Sequence, residues 1–274
     1  MTALDALRNV DLSRALELLK DEVRKEPQVA KHRIFLFQLL AVLGQWDRAL
    51  TQLNVARDMD PEAKAMAQTY QEMLTCEVLR SRVFAGERSP LLFGEPEPWM
   101  AQMLEAQRLT AQSQWAQAQD LRGQALEEAP AVPGQITRRK QDESADEPAA
   151  SPFEWIADAD SRLGPLLEAV VNGRYYWVPF QRIAVVNLEP PTDLRDLVWL
   201  PAHFQWTNGG ETVGFVPTRY PDSEAAKDDF LRMARKTEWL QREAETFLGI
   251  GQRLLTTDGG DYGLTEITKI QMAR

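Results

Sequence analysis

The sequence predicts an α+β protein: an N-terminal tetratricopeptide-like α-helical repeat domain, then a smaller α+β domain with a mostly antiparallel sheet. Two observations carry this prediction. A 34-residue period runs through the first half, which is the period of stacked helical hairpins. Past residue 152 the apolar spacing falls from about 3.6 to about 2, the change from helix to strand. The expected organisation is a repeat domain over 1–130, a flexible linker over 131–152 and an α+β domain over 153–274.

The repeat is read from matched positions. Ala15, Leu16, Leu19 and Pro27 recur 34 residues later as Ala49, Leu50, Leu53 and Pro61, and Arg14 recurs as Arg48. Trp46, Ala49, Ala56 and Pro61 recur 69 residues further on as Trp115, Ala118, Ala125 and Pro130. The small alanines let paired helices approach closely, and the prolines end each unit because they cannot continue a helix. Gly44 supplies the turn within the middle hairpin, where a left-handed backbone is cheap for glycine. Phe37 stands where such repeats place a small residue, so this hairpin is expected to splay. Residues 62–85 read as one long helix. From Ser89 to Trp99, Pro90, Gly94, Pro96 and Pro98 predict a long loop whose Leu91, Leu92 and Phe93 need burial. Helix resumes from Trp99 to about Thr110 and from Gln114 to Glu128. Stacks of this kind present a concave surface to a peptide or helix. Lys31, Ile34 and Gln38 are expected to face that groove.

The stretch 131–152 has few large apolar groups to offset its ordering entropy, hence the linker reading. Residues 153–172 still look helical, Phe153 to Asp158 and then Leu163 to Val171, with Asn172-Gly173 as the stop. The aromatic and β-branched runs 174–179 and 182–188 predict strands. Leu197–Leu200 and His203–Trp206 form an extended pair, and Asn208-Gly209-Gly210 a hairpin turn before the strand from Glu211 to Pro217. Ser223 to Phe247 reads as a charged amphipathic helix with Phe230, Met233, Ala234, Thr237, Leu240 and Ala244 on its apolar side. Strands at Leu254-Leu255 and over 263–270 close the chain.

Composition narrows the function classes. The 274 residues carry a net charge of −10, a field that repels nucleic acid. The basic cluster Arg138-Arg139-Lys140 is followed at once by acids and reads as solvated linker. No run of ~18 apolar residues is present, so no membrane insertion is expected. The first ten residues lack a secretory core, and Cys76 is the sole cysteine; both favour the cytoplasm. Catalytic constellations are sparse. His32 and His203 are the only histidines and read as structural or solvated, so no metal site and no cofactor are expected. Asp158 with Asp160, and Asp193 with Asp196, are the best paired carboxylates. The run Asp193-Leu194-Arg195-Asp196 reads as a turn or short helix start with Arg195 pairing an acid. Tyr175 and Trp177 fall on one face of a strand and Tyr176 on the other, which favours packing over a ligand platform.

Several dense blocks, in order, resemble the ImpE family, also called SciE or TagJ. They are Arg88-Ser89-Pro90 through Glu97; 158–165, with Asp160 and Arg162; 172–180, with Tyr175, Tyr176 and Trp177; 191–199, with Asp193, Arg195, Asp196 and Trp199; and Arg219-Tyr220-Pro221. Trp99 opens the helix that follows the first block. The resemblance covers nearly the whole chain outside the linker. It implies a non-enzymatic cytosolic adaptor of a bacterial type VI secretion system. The implied partners are the small sheath subunit (TssB-like), bound through its N-terminal helix, and a ClpV-type AAA+ ATPase. The family brings no catalytic residues to transfer. Two alternatives stay open: a hydrolytic or ligand-binding domain in 153–274 using Asp193, Arg195 and Asp196, and a purely structural scaffold.

Overall fold

The first two helices begin at side-chain acceptors, and three hairpins of the first half turn at left-handed residues. The computed structural model describes residues 2–139 and 150–273. Thr2 and Asp5 form a reciprocal capping box on α1 (Ala3–Arg8). Asp11 accepts the Arg14 amide at 2.8 Å to start α2 (Leu12–Lys25). Next come α3 (Ala30–Val42) and α4 (Trp46–Met59), the long α5 (Lys64–Phe84), then α6 (Pro98–Ala111) and α7 (Trp115–Glu128). The three tight hairpin turns are made by Val10, Gly44 and Ser113, with φ of 57°, 66° and 59°. These residues stand 34 and 69 apart, so the period fixes the turn position even where glycine is absent. The matched Ala15, Leu19, Ala49, Leu53, Ala56, Ala118 and Ala125 are fully buried, whereas Leu50 is 36% exposed. Phe37 is also fully buried and packs on Tyr70 at 5.6 Å between ring centroids.

The second half is built on a nine-stranded sheet. Its strands are β1 (Leu91–Leu92), β2 (Gly134–Arg138), β3 (Ala150–Phe153), β5 (Leu166–Val171), β6 (Arg174–Pro179), β7 (Ile183–Leu188), β8 (Trp199–Trp206), β9 (Glu211–Pro217) and β14 (Ile267–Met272), in the order β1-β6-β5-β9-β8-β7-β14-β2-β3. Every pairing is antiparallel except β1 with β6. A three-stranded sheet joins β4 (Ile156–Asp158), β12 (Leu254–Thr257) and β13 (Gly260–Gly263); a hairpin joins β10 (Thr237–Gln241) and β11 (Phe247–Gly251). One helical turn, α8 (Asp229–Arg232), precedes that hairpin.

Four expectations are corrected. The stretch 153–171 holds the end of β3, then β4, a turn and β5 rather than helix: β5 is buried at all six positions, and a strand covered on both faces has the continuous apolar run of a buried helix. Residues 223–247 hold α8 and β10, not one helix, because long-range contacts capture β11. Gly249 donates to Asp160 Oδ2 at 2.7 Å, and a Cβ there would lie 2.2 Å from the Tyr220 ring. The expected linker is strand over 134–138 and 150–152. One buried side chain, Ile136, and pairing with β14 suffice to order β2; the rest of that stretch, 140–149, lies outside the described residues. The loop from 89 to 99 contributes β1, and Phe93 stacks on Trp206 at 4.0 Å.

Two cores flank the large sheet. On one face Leu166, Val170, Tyr175, Trp177 and Trp199 pack with the helices. On the other Leu167, Ala169, Val171, Phe204 and Ile270 form a second core with the small sheet. The helical half and the sheet half therefore share the first core. Tyr70 and Trp46 of the helices meet Trp199 at 5.7 and 6.1 Å. Much of the helical face that the repeat reading left open for a guest is filled by the chain's own sheet.

Candidate functional site

A groove of about 510 Å³ stays open between α3 and the sheet half. One wall is α3, through Lys31, Ile34, Phe35 and Gln38; α1 adds Leu4, Leu7 and Arg8. The opposite wall is the loop between β7 and β8, Pro191 to Leu197, and Met233 and Arg235 after α8 close the end. Pro190 and Pro191 end β7, since proline cannot donate to a ladder. The Asp196 carboxylate then accepts the Thr192 and Asp193 amides, both at 2.8 Å, which starts a 3-10 turn over Leu194–Leu197. Arg195 pairs with Asp193 at 2.6 Å and lies 4.7 Å from the Tyr70 ring centre. This lock leaves Leu194 and Leu197 on the groove.

The α3 wall and the closing segment after α8 are tied from behind by Arg219. This fully buried guanidinium donates to the carbonyls of Ala41 and Val42 at 3.1 and 2.7 Å and to that of Arg232 at 2.5 Å. It thus caps the C-terminus of α3, where positive charge is favoured, and joins α3 to the segment carrying Met233. Burial lowers its pKa to about 10.

Most of the remaining signature residues lie in buried polar contacts on the helix-facing side of the sheet. Glu168, inside β5, accepts from Arg80 Nε at 2.6 Å, from the Tyr175 hydroxyl at 2.5 Å and from Arg253. Arg253 also binds Asp158, which accepts from the Tyr220 hydroxyl at 3.1 Å. Trp177 donates to Tyr175 at 2.8 Å and Trp199 to Glu77 at 2.8 Å. Asp160 holds Arg162 through two contacts, 2.6 and 2.8 Å. Trp99 is buried and donates to Glu97 at 3.2 Å, while Tyr176 faces Phe93 on the opposite side of the sheet. Burial pushes Glu168 up, but Arg80 and Arg253 outweigh it and hold the carboxyl at about 2. Burial pushes Asp158 up to about 6, against the pull of Arg253. These acids are engaged by guanidiniums, hydroxyls and amides in the interior, an arrangement suited to holding two halves together. His203 is exposed on β8, and His32 lies 2.8 Å from Glu26. Among the described residues no group of three or more His, Cys, Asp or Glu is placed to hold a metal, and no helix is long and apolar enough to cross a membrane.

Residues 150–271 match the family model described as ImpE protein. Over 270 residues the chain is 46% identical to the type VI secretion system accessory component TagJ of Pseudomonas aeruginosa, covering 98% of this chain and 90% of that protein. The chain belongs to the ImpE family. Its fold is also that of a crystallised Vibrio parahaemolyticus protein, with a TM-score of 0.85 and 24% identity over 99% of this chain and 97% of that one. The blocks that mark this ImpE member in sequence divide in space. Asp193, Arg195 and Asp196 shape the groove; Asp160, Arg162, Tyr175, Trp177 and Trp199 lie in the interior; Arg219 links the two regions. Sequence reasoning missed Arg80, Glu168 and Arg253. A glutamate inside the apolar run 166–171 is the signal that could have found Glu168, since an unpaired charge there is costly. Leu194, Leu197, Met233 and Arg235 had no sequence signal as groove residues, because the fold alone brings them to α3.

Proposed function

We propose that this protein is a non-enzymatic cytoplasmic adaptor of a bacterial type VI secretion system. In this reading it holds an amphipathic helix of a sheath component, the N-terminal helix of the small (TssB-like) subunit. It is thereby linked to sheath assembly or to recycling by a ClpV-type ATPase. The observation that carries the reading is the groove: an apolar trough with Ile34, Leu194 and Leu197 along it, walled by both halves. A helix offers anchors at i, i+3, i+4 and i+7 to such a trough, and Lys31, Ile34 and Gln38 are the assigned contacts. The name of the Pseudomonas relative supplies the system. The Asp193–Arg195–Asp196 cluster, the basis of the hydrolytic alternative, is spent on capping and ion pairing. The test is titration of the full chain with a peptide of the sheath subunit's N-terminal helix. Saturable binding is expected, weakened at least about tenfold by Ile34→Asp, the effect of losing one buried anchor. No saturation by about 100 μM overturns the reading.

A further inference from the structure

We propose that the groove selects its helix by charge: it takes an amphipathic helix whose apolar stripe is flanked by Asp or Glu, and Arg8, Lys31 and Arg235 read that flank. This rests on the reading of the groove as a helix site. The chain carries a net charge of −10, yet the rim of this groove is cationic. The three basic residues come from the end of α1, the first turn of α3 and the segment after α8, and all three line this groove. All three are exposed. Neighbouring cations are neutralised within the fold: Arg232 by Asp229 at 3.0 Å, and Lys236 by Asp228 and Glu238 at 2.7 and 2.6 Å. Arg8 reaches only Asp5, at 4.0 Å and largely in solvent. Among the described residues, Lys31 and Arg235 are in no ion pair. The groove's one carboxylate, Asp193, is held by Arg195. The charge left over at the rim is therefore positive.

Rim charges in solvent steer and select rather than add much affinity, and salt screens them. A carboxylate-flanked helix gains at this rim and is repelled by the acidic remainder of the surface. A lysine-flanked helix meets the opposite field at both places.

Two synthetic helices of about 20 residues, identical in apolar stripe and flanked by either Glu or Lys, separate the possibilities. Each is titrated by fluorescence anisotropy against the full chain at about 50 and about 500 mM NaCl, between which the screening length shrinks about threefold. The Glu peptide is expected to bind about tenfold tighter, with the gap closing at high salt. The R8E/K31E/R235E chain is expected to reverse the order at unchanged melting temperature, and Ile34→Asp to weaken both peptides. Equal affinity of the two peptides for the natural chain, or a salt-independent gap, overturns charge selection and leaves the helix site standing. So does an order unchanged by R8E/K31E/R235E. The salt arm needs no variant, so the proposal stays testable should the triple variant misfold. Binding of neither peptide, or binding indifferent to Ile34→Asp, overturns the helix site and the selection together.

Discussion

Glu168 is a charged group buried inside β5. It has no exposure to solvent, and two guanidiniums and a phenol converge on it from α5, β6 and the turn before β12. Its folded pKa, about 2 against an ordinary 4.5, gives the sign of its pH dependence. A depressed carboxyl adds stability that is complete above pH 4.5 and lost as pH falls toward 2; the shift corresponds to about 3 kcal/mol. Asp158 works the other way. Its folded pKa of about 6 lies above the ordinary 3.8, so protonation between pH 6 and 4 favours the fold. Chemical unfolding is therefore expected to show no loss from Glu168 and Asp158 between pH 7 and 4.5, then a steep loss below it. Glu168→Gln is expected to cost about 3–5 kcal/mol at pH 7, because it strands buried cations. It is also expected to flatten the acid limb. A limb of unchanged slope in the Gln variant would show that other carboxylates carry it.

At the scale of elements, the hairpin turns offer a direct test of the repeat. Val10, Gly44 and Ser113 hold the same left-handed position in their hairpins, but only glycine does so without cost. Ser113 is exposed, and its hydroxyl bonds to none of the described residues. Ser113→Gly is expected to raise stability by about 0.5–1 kcal/mol, read as a shift in urea midpoint at constant slope. Gly44 differs. A Cβ there would lie 2.4 Å from the Glu224 side chain, so its size matters as well as its torsion. The helical hairpins were legible in the sequence because alanine and proline punctuation survives in one dimension. The second half was less so. Leu163, Leu166, Leu167 and Val170 satisfy a helical spacing, and only the pairing of β5 with β6 and β9 decides for strand. Phe230, Met233, Thr237 and Leu240 likewise mimic one helix. The turn that breaks it, with Ala234 at φ 50°, contains no glycine or asparagine to announce it. The groove was half legible: Lys31, Ile34 and Gln38 sit on a readable helix, while its other wall arrives by tertiary packing.

For the whole molecule, the boundary between a repeat domain and an α+β domain is a boundary in sequence rather than in packing. Trp46, Tyr70 and Trp199 form one aromatic cluster, and Arg80 and Glu77 of α5 bind Glu168 and Trp199 of the sheet. Separating the halves would expose that core and leave buried charges without partners, a penalty larger than a typical domain's whole stability. Urea unfolding is therefore expected to be one transition, with tryptophan fluorescence and far-UV circular dichroism coinciding. Two resolved transitions, or a stable isolated 1–130 fragment, would contradict this.

The helix α3 shows one side to the groove, through Ile34, and plants the other, through Phe37 and Leu39, in the common interior. An occupant of the trough would therefore brace the entire chain rather than a local flap. Any ligand that binds only the native form at a hundred times its Kd adds about 2.7 kcal/mol to unfolding. The protein's own melting curve can thus serve as a label-free detector with which to rank fragments of candidate partners.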